Sequence, residues 1–457
     1  MMDFIFSYFS IRKVVRKALS LSKAGNQLES LQVFDTVLNN KELLRPSIWK
    51  MTWSVAEKIF RNIGDQRLAN LCLSIFGKTA KSDDYYSFGY ALVERGLDNM
   101  ALTVLNRGAQ LFPNDEKILT ELAYVYGELE LFDQAKHTLL NSPYLIVSMF
   151  MPRYLLVFNS LMMGDLREAT RWFRGLEELL SNSSLDLREN YTYMFNTIAS
   201  MIERAKVVVQ YTSLDAFDLR GWNAVVNGNL VLHLSEFDKE TMGGRYGYIQ
   251  EGPEKFFGCL HQLIAVLKSL SIVPSRILAL PDEDSLILAY IAARFFHCSV
   301  EIFSEETRDL SGLIICYHSD AISPETLILL SKASECQIFW CHAFNWTQQS
   351  LAPDFISYFA QYATPPWKER ISLAFEENDK MGRPQIVTKQ LIRGSFEEIA
   401  ERVYELVDVE EIENPPEVTT LAHLLFSYLE TKSKTIFEKQ RDRLRHWKES
   451  PVKSATF

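Results

Sequence analysis

Residues 82–115 read SDDYYSFGYALVERGLDNMALTVLNRGAQLFPND, and this stretch decides the fold of the first part of the chain. Large apolar residues recur in it at helical spacing, and a turn at Gly96 and Asp98 divides them into two runs. Gly89 is small enough to let two antiparallel helices approach closely. Pro113 closes the second run. The stretch therefore predicts a helical hairpin.

The same hairpin pattern returns every 34 residues. Small residues keep this interval, and a large apolar residue follows each of them by four positions. The first set is Ala101, Ala135 and Ala169, and the second set is Leu105, Leu139 and Phe173. A fixed period of this length is the signature of a solenoid, in which neighbouring hairpins bury each other's apolar faces.

In this register the chain resembles the tetratricopeptide repeat (TPR) family, whose 34-position pattern of small and large residues it shares. Residues 82–115 and 116–149 match well, residues 150–183 match at fewer positions, and the resemblance covers about residues 11–183. It implies an α solenoid whose concave groove holds an extended or helical peptide. We therefore expect a TPR-like domain over residues 1–183, followed by a capping helix and linker over residues 184–221.

The family's groove positions, carried onto this sequence, include a stripe of aromatic side chains. Aromatic rings give a large contact area at low entropic cost, as binding hot spots do. The resemblance thus implies a protein or peptide partner on Tyr86, Tyr90, Tyr124, Tyr154 and Phe158. The alternative is that a neighbouring domain or the following helix packs against these rings. The basic clamp of some family members needs several cations, and only Lys117 stands at those positions.

After Trp222 the pattern changes to short apolar runs that alternate with helical segments of about ten residues. This alternation is typical of parallel strands with helices on both faces. We expect an α/β doubly wound domain with a mostly parallel sheet over residues 222–415. The predicted strands are residues 229–234, 276–280, 300–303, 312–317 and 336–341, and the predicted helices between them are 285–296 and 324–332.

Polar residues follow several of these strands, at the edge of the sheet where such folds bind ligands. Carboxylates there could hold Mg²⁺, and histidine could act in acid–base chemistry. The alternative is that Asp282 or Asp284 caps the next helix. The candidate catalytic residues are Asp282, Asp284, His318, Asp320 and His342.

The order of strand, loop and helix in residues 225–345 resembles the core of type I phosphoribosyltransferases. Leu313–Cys316 stands for the family's strand, and residues 319–326 stand for its phosphate loop. Tyr317 and His318 replace the family's acidic pair, and the loop has no glycine. The resemblance therefore implies a degenerate domain with this fold and without the activity. The segment Gly243–Gly247 is interpreted as a hairpin or loop, with a phosphate-binding nest as the alternative.

Composition limits the class of protein. The 457 residues are 47% hydrophobic and carry a net charge of −10, which favours a globular acidic protein and gives no strong nucleic-acid signal. The six cysteines form no C-x-x-C motif and lie mostly in apolar runs, as in a reducing compartment. No apolar segment is long enough to cross a membrane, so we expect a cytoplasmic protein. Residues 1–10 are interpreted as the start of the first helix, with an amphipathic membrane-surface helix as the alternative.

The last segment, residues 416–457, is expected to be a C-terminal helix over 417–448 with a basic tail. Residues 431–457 hold eight lysines and arginines against three acids. Such a tail could fold back on the acidic chain or touch a nucleic acid or a membrane, and a solvated helix is the simpler interpretation.

The preferred hypothesis is a protein-interaction or scaffold protein whose α/β domain is not catalytic and needs no cofactor. The alternative is an enzyme of nucleotide or phosphorylated-sugar metabolism that uses the repeats for recruitment, and only this alternative calls for Mg²⁺. A third hypothesis is a homo-oligomer built through the solenoid.

Overall fold

The computed structural model describes residues 2–76, 80–233, 244–334, 337–347, 351–375, 384–389, 392–406, 418–419, 422–423, 441–443, 445 and 451–452. The chain divides into two compact units, Met1–Ala199 and Ser200–Phe457. Among the described residues, no helix combines the length and the apolar character that crossing a membrane requires.

The first unit is built from helices. They are α1 (Met2–Lys23), α2 (Gln27–Asp35), α3 (Pro46–Asn62), α4 (Gln66–Ser74), α5 (Ser82–Val93), α6 (Asp98–Leu111), α7 (Glu116–Glu128), α8 (Phe132–Leu140), α9 (Pro143–Ser148), α10 (Phe150–Met162), α11 (Leu166–Phe173) and α12 (Leu176–Ser181). The next helix, α13 (Leu185–Val208), contains the division between the units.

The predicted TPR-like repeats appear as three hairpins in a constant register. Helices α5, α7 and α10 begin 34 residues apart, and so do their partners α6, α8 and α11. Ala101, Ala135 and Ala169 are completely buried. A Cβ atom on Gly89 would lie 2.5 Å from Cδ2 of Leu105, so the close approach of α5 and α6 requires glycine there. The chain turns between paired helices with positive φ at Gly96, Glu130 and Gly164, again at the 34-residue interval.

The N-terminal residues belong to α1, whose side chains Ile11, Val15 and Ala18 are buried in the core of the first unit. The short helix α9 is an addition to the repeat pattern, because it stands between α8 and α10. Leu145 and Ile146 of α9 are buried.

The second unit contains a parallel sheet. Its strands are β1 (Leu230–Val231), β2 (Arg245–Gln250), β3 (Arg276–Ala279), β4 (Ser299–Ile302), β5 (Gly312–His318), β7 (Gln337–Phe344) and β8 (Phe355–Thr364), with the short β6 (Lys332–Ala333) outside the sheet. The order is β1-β8-β7-β5-β3-β4, and β2 also pairs with β8. Every pairing in this sheet is parallel. The predicted parallel α/β region is therefore confirmed.

The helices that accompany the strands in the described part of this unit include α14 (Leu219–Val226), α15 (Pro253–Ser269), α16 (Glu283–Phe296), α17 (Pro324–Leu330) and α18 (Phe396–Tyr404). Helix α16 packs against β3, β4 and β5, and α15 packs against β8. The strands β9 (Arg370–Phe375) and β10 (Pro384–Lys389) pair antiparallel in a separate two-stranded sheet.

Two sequence interpretations of this unit were wrong. Arg245 and Tyr246 begin β2 and pair with β8, where a hairpin, loop or phosphate nest was expected over Gly243–Gly247. Gly243 lies outside the described residues. Arg441–Asp442 form a strand, β11, that pairs antiparallel with β6, so the predicted helix does not run through to residue 448. The strand is favoured because the backbone of Arg443 bonds to both Ser331 and Ala352 while its side chain lies buried. The rest of that predicted helix lies largely outside the described residues.

Candidate functional site

The sheet order brings the candidate catalytic residues to neighbouring strands. The chain passes from β3 outward to β4 and then returns to the other side of β3 as β5, which makes a topological switch point between β3 and β5. Ligands of open α/β sheets bind at the carboxyl ends of the strands beside such a point. Asp282 and Asp284 follow β3, His318 ends β5, Asp320 follows it, and His342 lies in β7.

The two aspartates after β3 have structural partners. Asp282 is the N-cap of α16, and its Oδ1 accepts a hydrogen bond from the Ser285 amide at 2.9 Å. Asp284 accepts a hydrogen bond at 2.9 Å from Nε1 of Trp367 and forms an ion pair with Lys368. Burial raises the pKa of Asp282. These carboxylates hold the start of α16 and the segment after β8 in place.

Asp320 and His318 are joined to the turn that follows β7. Asn345 Nδ2 donates to the two carboxylate oxygens of Asp320 at 3.0 and 3.1 Å, and the Asn345 amide donates to Oγ of Ser319 at 2.7 Å. The Asp320 amide donates to Nδ1 of His318 at 3.2 Å. Burial lowers the pKa of His318, which favours the neutral imidazole. Hydrogen bonds within this loop cluster thus account for Asp320 and for Nδ1 of His318, whereas Nε2 of His318 is buried without a hydrogen-bond partner among the described residues.

His342 belongs to a hydrogen-bonded network inside the unit, which we call the buried network and define as Glu251, Tyr317, Trp340, His342 and Ser357. His342 Nε2 lies 2.9 Å from Oε1 of Glu251, and its Nδ1 lies 3.2 Å from Oγ of Ser357. Ser357 Oγ accepts from Nε1 of Trp340 at 2.9 Å, and the Tyr317 hydroxyl donates to Oε2 of Glu251 at 2.8 Å. A neutral imidazole with its proton on Nε2 satisfies both neighbours.

The order hydroxyl, imidazole, carboxylate in the buried network is also that of hydrolytic triads. Here, however, the side chains of His342 and Glu251 are 0% exposed and Ser357 is fully buried. Phe256, Tyr317 and Tyr358 surround the imidazole, with ring centroids 5.2–5.5 Å from it. A substrate cannot reach Ser357 through this shell. The arrangement can hold three strands and the start of α15 together, and it has no open position for a reacting atom.

Burial and nearby charged groups shift the pKa of several side chains in and around the buried network. Lys255 Nζ lies 4.3 Å from the ring centroid of Tyr246 and donates to its hydroxyl at 3.1 Å. Burial, with Lys255 and Arg220 nearby, lowers the pKa of His233 to about 4. Burial and the charge of Glu251 hold the pKa of the Tyr317 and Tyr358 hydroxyls well above the ordinary value. The imidazole of His233 and both hydroxyls are therefore uncharged at neutral pH.

Sequence reasoning missed Glu251 and Ser357 because it did not identify β2 and β8. A usable signal was Glu251-Gly252-Pro253, since proline in the first turn marks the start of a helix directly after an acid. The apolar run Phe355–Ala360 was a second signal.

A cavity of about 370 Å³ opens near the same edge of the sheet. None of the five candidate catalytic residues is among the residues that line it, which are Glu283, Thr364, Trp367, Lys368, Glu369, Ile392 and Ile399. Within the described part of the chain, no three His, Cys, Asp or Glu side chains are grouped so that they could hold a metal ion.

In the first unit, the aromatic stripe is accessible only in part. Tyr90 is 41% exposed, Tyr86 and Tyr124 are half-buried, and the rings of Tyr86 and Tyr90 lie 5.9 Å apart. Tyr154 and Phe158 are 4% and 1% exposed. Their row of stacked rings begins at Phe150, which stacks on Tyr191 of α13 at 4.3 Å. The surface that a partner could contact therefore lies on α5 and α7.

We call this surface the α5–α7 face and define it as Tyr86, Tyr90, Glu94, Glu121 and Tyr124. Glu94, the C-cap of α5, forms an ion pair with Arg67 at 2.9 Å. Burial, together with the negative charge of Glu94, raises the pKa of Glu121 to about 7. Burial and a hydrogen bond with Glu128 raise the pKa of Tyr124. The face thus combines aromatic rings with carboxylates.

Comparison with known proteins finds likenesses to solved structures alone. No family model matches the chain, and no curated protein matches it. MamA AMB-1 is 17% identical and covers 39% of this chain and 96% of its own, with a TM-score of 0.24. MamA MSR-1 is 18% identical over 39% of this chain and 98% of its own, with the same TM-score. TTC0263, described as a thermophilic TPR protein in Thermus thermophilus, is 21% identical over 40% of this chain and 98% of its own, with a TM-score of 0.24. The TPR-like description of the first unit stands on the register and packing given above.

Proposed function

We propose that the chain is a protein-interaction or scaffold protein that binds a protein or peptide partner on its helical repeats. The observation that carries this proposal is the α5–α7 face, where Tyr90 and the half-buried Tyr86 and Tyr124 form an aromatic surface on consecutive repeats. Tyrosine is enriched among the few residues that carry most of the binding energy in protein interfaces.

The proposal includes an α/β unit that is doubly wound, not catalytic and independent of a cofactor. Its support is that each candidate catalytic residue has at least one structural partner: a helix amide for Asp282, Trp367 for Asp284, Asn345 for Asp320, a backbone amide for His318 and Glu251 for His342. Among the described residues, Oδ2 of Asp282 and Nε2 of His318 are buried and have no hydrogen-bond partner. A phosphoribosyltransferase-like enzyme would need some of these groups to be free for substrate. The cytoplasm is the proposed location, and a homo-oligomer stays an untested prediction.

The test places a photo-crosslinking amino acid at Tyr90 in the full chain and irradiates cells of the native host. Tyr144 is the matched control position, because it is a tyrosine of the same unit with the same 41% exposure. We expect a discrete adduct of defined mass from position 90 and none from position 144. Equal adducts at both positions, or no adduct at position 90, would overturn the proposal.

A further inference from the structure

We infer that the α5–α7 face binds a partner segment that carries lysine or arginine. This inference rests on the proposed function and adds the chemical class of the partner. Three observations support it: the rings that are accessible, the carboxylates that stand among them, and a lysine of the chain itself that already occupies the edge of the face.

The lysine is Lys117, on the first turn of α7. Its Nζ lies 5.5 Å from the centroid of the Tyr86 ring and 3.0 Å from Oδ1 of Asp83. An ammonium within about 6 Å of a ring centroid is attracted by the negative face of the ring. The geometry shows that this surface accepts a cation between a tyrosine ring and a carboxylate.

One turn further along α7, Glu121 is close enough for its charge to act on Tyr86 and for the charge of Glu94 to act on it. Lys117 is paired with Asp83, and Arg67 is paired with Glu94. Burial and the like charge of Glu94 both act on the Glu121 carboxyl, so it is held in a position that disfavours its own ionised form. A cation brought by a partner would stabilise that ionised form and would lie near the rings of Tyr86 and Tyr124.

An acidic segment is excluded by the same geometry. Its carboxylates would approach Glu94 and Glu121, and like charges at short range cost several kcal/mol in an interface. The lack of a basic clamp also argues against an acidic partner. Of the positions where some TPR proteins carry the clamp, only Lys117 holds a cation, and it is already paired.

The experiment selects peptides from a random 12-residue display library on the full chain, first as wild type and then as Tyr90→Ala. We expect lysine and arginine to be enriched in the peptides that bind wild type and are lost with Tyr90→Ala. Peptides that depend on Tyr90 but carry neither lysine nor arginine would overturn this inference and leave the proposed function standing. Failure to enrich any Tyr90-dependent peptide would overturn the inference, and the crosslink at position 90 would then decide the proposed function separately.

A synthetic lysine-containing peptide from the selection then serves as the probe for Glu121→Gln. At pH 8 we expect this variant to bind about fivefold more weakly, the effect of one partly exposed ion pair. At pH 5.5 the two proteins should bind equally, because Glu121 is then protonated in wild type. The control is Glu177→Gln, which removes an exposed carboxylate of α12 and should change nothing. Equal loss with both variants, or a difference that does not depend on pH, would contradict a cation held at Glu121.

Discussion

Gly89 shows how one residue fixes the spacing of two helices. Gly89 lies against Leu105, and this contact leaves no room for a side chain. The contact explains why the repeat pattern has a small residue at this position. The same position in the next repeat holds Ala123, which is fully buried.

We expect Gly89→Ala to lower the free energy of unfolding by about 1–3 kcal/mol, the usual cost of overpacking a core. Denaturant unfolding measured by circular dichroism tests this. Gly247→Ala is the control, because a Cβ atom there would meet nothing within 4 Å. Similar stabilities for the two variants would show that α5 and α6 can move apart at little cost.

Glu121 gives a prediction that depends on pH. Its folded pKa of about 7 is above the ordinary value of 4.5, so the folded state binds this proton more tightly than the unfolded state does. The bound proton stabilises the folded state fully below about pH 4.5, and this stabilisation is lost as the pH rises through about 7. We therefore expect Glu121→Gln to be more stable than wild type at pH 8, by as much as about 3 kcal/mol, and close to it at pH 4.5.

Urea unfolding of wild type and Glu121→Gln at both pH values measures this difference. Glu177→Gln serves again as the control, with an expected change within about 0.5 kcal/mol at either pH. If Glu121→Gln were less stable than wild type at pH 8, the carboxylate would have a favourable partner and its pKa would not be raised.

Among the elements, the helices were predictable because their register is local. A period of 34 residues identifies each hairpin without knowledge of the rest of the chain, and α5 to α8 begin where the pattern places them. The buried strands β3, β5 and β7 were also predicted, since each is a continuous apolar run. The strands β2 and β8 were not, because a short run can be helix or strand and their partners are distant in sequence.

The candidate site could be predicted only in outline. The sequence places acids and histidines after strands, and the structure does bring β3, β5 and β7 side by side. The sequence does not show that Asn345 donates a hydrogen bond to Asp320 or that Trp367 donates one to Asp284, because these contacts join segments that are distant in sequence. Partners that are distant in sequence decide whether a polar residue is free to react.

The buried network allows a prediction about the stability of the second unit. His342→Ala leaves the Glu251 carboxylate buried without its imidazole partner, and removing a hydrogen-bond partner from a buried polar group costs about 1–3 kcal/mol, or more when the group is charged. Tryptophan fluorescence during urea unfolding would report this, since Trp340 and Trp367 lie in the same unit. His137→Ala, at an exposed position of α8, is the control. A loss below about 1 kcal/mol for His342→Ala would mean that the network contributes little to stability.

For the whole molecule, the proposal that the α/β unit is not catalytic has a simple test. A ligand that binds the native state raises the melting temperature, by an amount that grows with its concentration over its Kd. We expect Mg²⁺, nucleotides and phosphorylated sugars at millimolar concentration to leave the melting temperature of the full chain unchanged within about 1 °C. A rise of several degrees with one of these classes would favour the enzyme hypothesis.

The distance along the sequence between segments that pack together decides when each unit can fold during synthesis. In the first unit, neighbours in space are mostly neighbours in sequence, so its hairpins can form while the chain is still being made. In the second unit, β1 pairs with β8 some 125 residues later, and Arg245 bonds to the carbonyl of Val452 across 207 residues. The parallel sheet therefore cannot be completed until the ribosome has released β8, and the separate β6–β11 pair forms later still. Until then its apolar strands have unpaired edges, which makes the incomplete unit prone to aggregation.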